Sequence, residues 1–415
     1  MISVSEALKE ILGTIHPLGL EKLNIMDALG RVMGEDIYAR RNIPPKNNSA
    51  MDGYAVRAED TASATQEKPA ILEVIEDIPA GTIPTKKIGP GQAARIMTGA
   101  PIPDGANAVM RMEDAEKDGN NVKIFIEASK GLDVRKAGED VQDGELIIAR
   151  GAVLRPADIG MLAALGRAFV QVCQKPLIAV LATGDELVNV DEDPGSWKII
   201  SSNSYSIAAQ VLDAGGIPLQ LGIAKDTRED LLAAFEAAMR ADIIISSGGV
   251  SVGDYDLVKD IMKEMGNQMQ FWQVAMRPGK PLAFGNLRGI PLFGLPGNPV
   301  SSMVSFEQFV RPSIRKMTGH KLLYRPVVKA ILREDIKKQT GLKYFIRAVL
   351  CREDGRYTVI STGEQGSGIL KSMVRANSFI CLPEDCETAR KGDEVTVQII
   401  DHSFEQRETP EYLQI

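Results

Sequence analysis

The sequence predicts a multidomain protein that combines α/β and β domains around a central, doubly wound and mostly parallel sheet. Three apolar runs at 177–182, 241–247 and 290–295 each end in a loop of small polar residues that precedes a helical pattern. Such runs are typical of strands that are buried on both faces of a sheet, with helices returning the chain between them. Short strands separated by turns fill residues 70–128 and return after residue 320, which predicts two further β domains.

The length of the chain requires several domains, because 415 residues exceed what one hydrophobic core normally supports. Near the N-terminus we expect a helix that ends at about Ile15 and a second short helix over Ile25–Ile37, and later a helix over Pro156–Leu165. The predicted domains are an elongated N-terminal helical and linker domain (1–45 with 145–172), an inserted small β domain (46–144), a central α/β domain (173–320) and a C-terminal β domain (321–415).

Composition and charge argue against several classes of protein. The net charge of −7 is unfavourable for a protein that binds nucleic acid non-specifically. The chain has no apolar run of about 18 residues, so no membrane span is expected. Residues 1–6 lack the basic and apolar regions of a secretory signal. We therefore expect a cytoplasmic protein with neither nucleic acid nor membrane among its partners.

Cysteine and histidine are too scattered to predict a metal centre or a catalytic triad. The four cysteines include no Cys-x-x-Cys pair, so free thiols are expected rather than disulfides or zinc ligands. The three histidines, His16, His320 and His402, lie far apart in the sequence. A zinc hydrolase or a Ser-His-Asp enzyme is therefore disfavoured, and any chemistry must depend on carboxylates, lysines and hydroxyls.

The loops after the three predicted buried strands carry candidate site residues. The first is Thr183-Gly184-Asp185-Glu186, the second is Gly248-Gly249-Val250-Ser251 with Asp256 shortly after it, and the third is Pro296-Gly297-Asn298-Pro299. Ligands of open α/β sheets bind at this carboxyl edge. The glycine-rich loop can form a nest of N–H groups for an anion. Asp185, Glu186 and Asp256 could converge on a divalent cation and the phosphates of a nucleotide-sized ligand.

Two polar segments suit an anionic ligand, and each also has a purely structural interpretation. Ser202-Asn203-Ser204 precedes a predicted helix over Tyr205–Ala214, so its hydroxyls could contact an anion or a ribose, or could cap the helix alone. Arg277-Pro278-Gly279-Lys280 sets two cations on a rigid turn, with Ser301 as a candidate neutral donor. The alternative for this turn is a solvated basic loop before the strand at Leu282–Gly285.

The chain resembles the molybdopterin molybdenumtransferase family, which includes the E domain of gephyrin. The resemblance covers nearly the whole chain, is weakest after residue 320, and depends on eight motifs that occur in one order. These motifs are Ser49-Ala50-Met51-Asp52-Gly53-Tyr54-Ala55, Arg95-Ile96-Met97-Thr98-Gly99-Ala100, Ala137-Gly138-Glu139-Asp140, Thr183-Gly184-Asp185-Glu186-Leu187, Ser202-Asn203-Ser204, Ser247-Gly248-Gly249-Val250-Ser251-Val252-Gly253, Arg277-Pro278-Gly279-Lys280-Pro281 and Gly294-Leu295-Pro296-Gly297-Asn298-Pro299-Val300-Ser301.

The resemblance implies that molybdate is inserted into adenylylated molybdopterin with the help of Mg²⁺, and that AMP leaves. It also implies an elongated homodimer with an active site shared between subunits, and it gives the adenylylating enzyme and molybdoenzymes as candidate partners. Glu186 and Asp256 are the expected metal ligands. By matching motifs, the positions that the family uses functionally are Asp52, Thr98, Asp140, Glu186, Asp226, Asp256, Pro296 and Pro299.

The chain departs from the family at two positions, and two other functions stay open. Arg277 stands where relatives often carry lysine, and Gln273 where some carry another lysine; a planar arginine is not equivalent to a point charge. A nucleotide amidase or pyrophosphatase could use a similar central sheet, because fold does not determine function. A non-enzymatic scaffold that binds a peptide, as the gephyrin E domain does, is the other alternative. The Asp52 and Thr98 loops argue against the amidase, and the retained carboxylates argue against the scaffold.

Overall fold

The computed structural model describes residues 1–248, 261, 264–266, 268–353 and 355–406. The chain forms two compact units. One consists of Met1–Leu23, Gly30–Gly34 and Gln171–Ile415, and the other of Asn24–Leu29 and Glu35–Val170. The finer division into four domains with boundaries at 45, 144, 172 and 320 stays a prediction.

The larger unit contains the central sheet, and four neighbouring strands of this sheet are parallel. Its six strands, in spatial order, are Ile217–Ala224, Leu177–Thr183, Ile243–Ser247, Ile290–Leu295, Pro281–Leu287 and Gln268–Gln273. The first four pair in parallel and the last two pairings are antiparallel. The prediction of a mostly parallel sheet is confirmed, and the three apolar runs are its inner strands.

Both faces of the central sheet are covered, as expected for a doubly wound fold. Ile178 and Val180 belong to a hydrophobic core that includes Val211 of a flanking helix, whereas Ala179 and Leu181 belong to a second core. Alternate residues of one strand therefore enter opposite cores. Within the described residues, the helices of this unit include Val4–Thr14, Ser202–Ala214, Arg228–Ala238, Pro299–Ser305, Arg311–Met317 and Leu370–Arg375, with a π-helical turn at Phe306–Val310.

The C-terminal part of the larger unit is a closed β barrel. Its five strands, Lys343–Glu353, Arg356–Ser361, Val327–Leu332, Glu394–Ile399 and Ser378–Leu382, pair in this order, and the last pairs with the first. The short strand Met276–Arg277 adds to Lys343–Glu353 in parallel. The strands that the sequence predicts after residue 320, at 325–332, 344–351, 356–360 and 394–400, correspond to four of the five barrel strands. Neither Ser378–Leu382 nor the helix before it was predicted. Two-residue strand pairs occur at Leu187–Val188 with Ile199–Ile200 and at Ile336–Lys337 with Thr388–Ala389.

The smaller unit is built on a six-stranded sheet. In spatial order its strands are Ala108–Arg111, Gly53–Val56, Gln92–Ile96, Ala70–Ile78, Asn121–Ile124 and Ala115–Asp118. This sheet confirms the expected β structure between residues 70 and 128. Short pairs join Asn48–Ser49 to Val134–Arg135 and Ile37–Tyr38 to Leu146–Ile148. The predicted helix near 156–165 is present as Pro156–Ala164.

The predicted helix over Ile25–Ile37 is wrong. Leu20–Asn24 is a strand, residues 25–30 form turns, and Ile37–Tyr38 is a short strand. Gly30 has a φ of 75°, a left-handed conformation that a continuous right-handed helix cannot contain. The apolar residues Val32 and Met33 are buried here without helical structure, which explains why their spacing was misleading.

Two further expectations concern the cysteines and membrane-spanning helices. The structure describes all four cysteines and joins none of them in a disulfide, in agreement with the expected thiols. Among the described residues, every helix is too short or too polar to cross a bilayer.

Candidate functional site

Thr183, Gly184, Asp185 and Glu186 lie at the carboxyl end of the inner strand Leu177–Thr183. Thr183 is buried, whereas Asp185 and Glu186 are exposed. Gly184 has a φ of 143°, and a Cβ at this position would lie 2.6 Å from the Glu186 carboxylate. The backbone N–H of Leu187 donates to the Gly184 carbonyl over 3.2 Å, closing a tight turn. Glycine therefore allows the Glu186 carboxylate to fold back against the strand end.

The neighbouring strand brings Asp226 to the same edge. Asp226 follows the strand Ile217–Ala224, and its backbone N–H donates to Asp185 Oδ1 over 3.2 Å. Gly184 N–H also donates to the Ala224 carbonyl over 3.4 Å. The structure thus brings together three of the predicted carboxylate residues, Asp185, Glu186 and Asp226.

Gly248 ends the next strand and packs directly on Thr183. Its φ is 93°, and a Cβ here would lie 2.6 Å from the Thr183 carbonyl oxygen. The Thr183 hydroxyl is buried and has no hydrogen-bond partner among the described residues. Such a hydroxyl is costly unless a ligand or water satisfies it. Gly249, Ser251 and Asp256 lie outside the described residues, and so does the predicted nest.

Ser202, Asn203 and Ser204 form the first turn of a helix instead of preceding it. The helix runs over Ser202–Ala214 and begins three residues earlier than predicted. Its N-cap residue, Ser201, makes no capping hydrogen bond with its side chain, and its hydroxyl lies 2.8 Å from the Ser204 hydroxyl. The serine before this run is therefore the N-cap residue, but the expected capping by a side-chain hydroxyl is not made, because the Ser201 and Ser204 hydroxyls bond to each other.

Asn203 connects two of the strand-end loops. Its Nδ2 donates to Ser247 Oγ over 2.9 Å and to the Gly297 carbonyl over 2.8 Å. Its buried Oδ1 has no partner among the described residues. Two prolines flank Gly297 in the sequence. Pro296 is buried, and Pro299 is the first residue of the helix Pro299–Ser305. The side chain of Asn203 therefore fixes the loop at Pro296–Pro299 and leaves one acceptor available.

A cleft of about 310 Å³ opens at the Arg277–Lys280 turn. Its polar lining includes Arg277, Lys280, Asn298, Ser301, Gln365 and Ser367. Arg277 and Lys280 are exposed, whereas Ser301 is buried. A Cβ on Gly279, whose φ is 96°, would lie 2.5 Å from Ser305 Oγ, so only glycine lets the turn approach the helix this closely. The structure thus brings the two predicted cations and Ser301 into one cleft.

A larger cavity of about 670 Å³ also has Arg277 in its wall, together with Arg347 of the barrel. Arg347 is 1% exposed, and it donates to Ser372 Oγ and to the Gly366 carbonyl, each over 3.0 Å. Burial lowers the pKa of the Arg347 guanidinium to about 10. Among the described residues, no carboxylate lies within ion-pair distance of Arg277, Lys280 or Arg347.

Sequence reasoning missed Arg347, Gln365 and Ser367 as possible contributors to the cleft and the cavity. The available signal was an arginine inside the apolar run Phe345-Ile346-Arg347-Ala348-Val349-Leu350. A charged residue in a buried strand is uncommon unless it is paired or functional. Gln365 and Ser367 lie in a loop between a barrel strand and a short helix, and their sequence carried no such signal.

In the smaller unit, Asp52 and Thr98 are directly hydrogen bonded. The Thr98 backbone N–H and hydroxyl each donate to Asp52 Oδ1 over 2.7 Å. These bonds, the backbone one foremost, lower the pKa of the Asp52 carboxyl below its usual value. Asp140 is exposed and lies in a separate pocket of about 460 Å³ that Arg135 and Glu139 also line. Asp52 and Thr98 therefore form a unit, and Asp140 lines a pocket of its own.

The fold and these sites together indicate the class of protein to which the chain belongs. The larger unit combines a carboxylate-rich strand edge of a doubly wound sheet with a cleft whose cations have no carboxylate partner in the part of the chain that the structure describes. This combination is typical of enzymes that bind anionic, nucleotide-like substrates.

Comparison with known proteins identifies the family within this class. Residues 2–166 match the model of the MoeA N-terminal region (domains I and II), residues 179–316 a probable molybdopterin-binding domain, and residues 329–400 the MoeA C-terminal region (domain IV). The chain belongs to the molybdopterin molybdenumtransferase family, whose members are transferases.

Relatives in bacteria and archaea match along almost the whole chain. The molybdopterin molybdenumtransferase of Bacillus subtilis is 37% identical over 404 residues, covering 96% of this chain and 94% of that protein. Molybdopterin molybdenumtransferase 2 of Mycobacterium tuberculosis is 40% identical over 379 residues, covering 90% and 93%. The crystal structure of the molybdopterin biosynthesis protein MoeA from Pyrococcus horikoshii has a TM-score of 0.82 at 33% identity, covering 96% and 100%.

Proposed function

We propose that the chain is a molybdopterin molybdenumtransferase that inserts molybdate into adenylylated molybdopterin, with release of AMP. The observation that carries this proposal is the cleft at Arg277–Lys280, whose cations have no carboxylate partner among the described residues. Such charges are available to a tetrahedral dianion. The names of relatives that are 37% and 40% identical give the substrate class.

The strand edge is the proposed site of the adenylylated pterin. Thr183 Oγ1 and Asn203 Oδ1 are buried and lack partners among the described residues, and both lie at the carboxyl ends of inner strands or beside them. A hydroxyl and an amide oxygen can orient the polar groups of a nucleotide or a pterin. Glycine at position 248 lets the backbone lie close to Thr183, because a Cβ there would be 2.6 Å from the Thr183 carbonyl oxygen.

The oxygen ligands at this edge suit Mg²⁺. Among the described residues, no three side chains of histidine, cysteine, aspartate or glutamate lie close enough together to hold a metal ion. Mg²⁺ commonly uses one or two carboxylates and completes its shell with water and substrate phosphates. We therefore propose Glu186, with Asp256, as the metal ligands; bound Mg²⁺ would neutralise charge on the phosphates. Glu186 is exposed and turned against Gly184, which leaves its carboxylate available from solvent.

Molybdate is the proposed ligand of the basic cleft. Arg277 and Lys280 would supply charge, and Ser301 at the base of the cleft would supply a neutral hydrogen bond. The buried Arg347 adds positive potential to the neighbouring cavity, whose carboxylates Glu334 and Asp335 accept backbone N–H groups of Ser361 and Lys391, each over 2.7 Å. Among the described residues, four cationic side chains line this cavity against two carboxylates, so the balance of charge favours an oxyanion.

We further propose a cytoplasmic homodimer with a shared active site. Asp52, Thr98 and Asp140 belong to a compact unit separate from that of Glu186 and Lys280, which supports a contribution from a second subunit. The adenylylating enzyme and molybdoenzymes are the proposed protein partners, because the substrate must arrive and the product must leave.

One assay tests the proposed function against its alternatives. The purified chain is supplied with adenylylated molybdopterin, Mg²⁺ and molybdate, and AMP release and active cofactor are measured together. We expect both products, and both should depend on molybdate. AMP release without cofactor would indicate a pyrophosphatase or amidase, and the absence of both would indicate a scaffold.

A further inference from the structure

The Arg277 side chain, which lines both the cleft and the larger cavity, lies against one aromatic residue of the barrel. Its Cζ is 5.6 Å from the centroid of the Tyr344 ring, and its Nη1 donates to the Tyr344 hydroxyl over 3.4 Å. The two backbones run in parallel at this point, with Arg277 opposite Tyr344 in the strand pairing. Two contacts of different kinds therefore join the same two side chains.

Tyr344 is itself held in place by the barrel. Its hydroxyl accepts the Gln339 backbone N–H over 3.4 Å. The ammonium group of Lys338 lies 4.9 Å from the ring centroid and donates to the carbonyls of Gln339, Leu342 and Glu384 over 3.3, 3.0 and 3.3 Å. Lys338 is buried, so this cation is fixed beside the ring.

We propose that Tyr344, which lines the larger cavity, is a positioning residue that fixes the Arg277 guanidinium at the wall shared by that cavity and the cleft, and thereby sets the affinity of the cleft for an oxyanion. This inference rests on the proposed function, in which the cleft binds molybdate. An aromatic ring is suited to this task because it attracts a guanidinium without cancelling its charge, whereas a carboxylate would neutralise it. A side chain that is already ordered also loses less conformational entropy when the anion binds.

The pairing gives a physical reason for arginine at position 277. A planar guanidinium can stack on a ring and still direct N–H groups at an anion, which the compact ammonium of lysine does less well. The C-terminal barrel then takes part in binding through Tyr344, although the cations Arg277 and Lys280 precede the barrel in sequence.

Molybdate binding to the full-length protein, measured by isothermal titration calorimetry without pterin, tests the role of Tyr344. Tyr344→Phe removes only the hydroxyl and should weaken binding about twofold, whereas Tyr344→Leu removes the ring and should weaken it about three- to tenfold. Tyr357 provides a matched control, because Arg352 lies 6.0 Å from its ring and its hydroxyl donates to Glu405 over 2.8 Å. Tyr357→Phe and Tyr357→Leu should bind molybdate as the wild type does.

A double-mutant cycle separates positioning from general packing. In an Arg277→Ala background, Tyr344→Leu should cause no further loss of molybdate affinity. If it weakens binding as much as in the wild type, Tyr344 acts through barrel packing and the proposal is wrong. Thermal unfolding checks that each variant folds. If Tyr344→Leu does not fold, Tyr344→Phe takes its place in the cycle, and a wild-type affinity for Tyr344→Phe would then overturn the proposal.

Lys280→Ala distinguishes failure of this inference from failure of the proposed function. If Lys280→Ala loses molybdate affinity while Tyr344→Leu binds normally, the positioning role is wrong and the assignment of the cleft stands. If Lys280→Ala and Arg277→Ala both bind molybdate normally, the cleft is not the oxyanion site and both proposals fail.

Discussion

Two regions of the larger unit carry opposite charges and are assembled in opposite ways. The strand edge holds Asp185, Glu186 and Asp226, which follow two neighbouring strands and lie near them in sequence. The basic cleft combines the turn Arg277–Lys280 with Ser301 and with Gln365 and Ser367, which come from a distant part of the chain. Local sequence thus determines the acidic edge, whereas tertiary packing determines the cleft.

This difference suits the proposed reaction, in which molybdate and an adenylylated pterin are both anions. Molybdate is a dianion, and carboxylates alone would repel it, so a region that uses carboxylates to bind a metal and phosphates cannot also hold the oxyanion. Separate regions allow each ligand to meet the charge that it requires. We therefore expect substitutions at the edge to affect turnover and its dependence on Mg²⁺. Substitutions in the cleft should affect how the rate depends on molybdate concentration.

The largest effect is expected from Glu186→Gln, which preserves size but removes a charge at the edge. Turnover should fall about a hundredfold or more, with a higher Mg²⁺ requirement, because charge stabilisation in a polar site commonly contributes this much. Asp256→Asn should behave similarly. Glu192→Gln is the control, since Glu192 lies in the following loop and its carboxylate accepts hydrogen bonds from Asn189. A wild-type rate and Mg²⁺ dependence in Glu186→Gln would remove Glu186 from the metal site.

The next effect is expected from Lys280→Ala in the cleft. The molybdate concentration for half-maximal rate should rise about ten- to a hundredfold, because one charge-assisted contact contributes roughly 1.5–3 kcal/mol. The measurement is a molybdate titration at saturating adenylylated pterin. Lys329→Ala is the control, because Lys329 lines a different pocket of the barrel. Weaker nucleotide binding with an unchanged molybdate dependence would instead identify Lys280 as a phosphate ligand.

Sequence reasoning succeeded where structure depends on local pattern. The inner strands were found because apolar runs such as Leu177–Thr183 end at glycine, and the carboxylates after them followed directly. The helix over Ile25–Ile37 was expected to be interrupted at Gly30 and Gly34, but the left-handed conformation at Gly30 belongs to a series of turns and the helix does not form. Arg347 was missed because its neighbours come from the barrel loop and helix near Gly366 and Ser372, and no local pattern encodes those contacts.

The Asp52–Thr98 pair was predictable from the sequence only in part. Each residue was a candidate from its motif, but their hydrogen bonds depend on the pairing of Gly53 with Ile96, which brings distant segments together. The roles of the site residues stay predictions in both regions.

A third prediction extends the comparison to the smaller unit. If the active site is shared between subunits, mixing inactive Asp52→Ala subunits with inactive Asp256→Ala subunits should restore activity. Heterodimers would contain one intact site, so up to about a quarter of wild-type activity is expected after random exchange of equal amounts. Mass spectrometry of the mixture should verify subunit exchange. Exchange without recovered activity would indicate that each site is built within one chain.

The smallest expected effect is a change in the pKa of the Asp52 carboxyl when Thr98 is substituted. Its pKa is below the usual value because Thr98 donates two hydrogen bonds, so Asp52 stays charged to a lower pH than an ordinary aspartate. Any stability from these bonds is present above the ordinary pKa and is lost as pH falls through the lowered one. Thr98→Val removes the hydroxyl donor and should raise the Asp52 pKa, whereas Thr98→Ser should not. Carboxyl NMR titration measures the shift, and equal pKa values in all three proteins would contradict the stated cause.

The most direct test of the central claim is to locate molybdate in crystals of the protein by anomalous diffraction at the molybdenum edge. The proposed function predicts a peak in the cleft, within contact distance of Arg277 and Lys280 and close to Ser301. In crystals of Lys280→Ala that are soaked at the same molybdate concentration, the occupancy of molybdate in the cleft should be lower. A peak at the Thr183–Glu186 edge, with none in the cleft, would contradict the separation of the two regions on which the account depends.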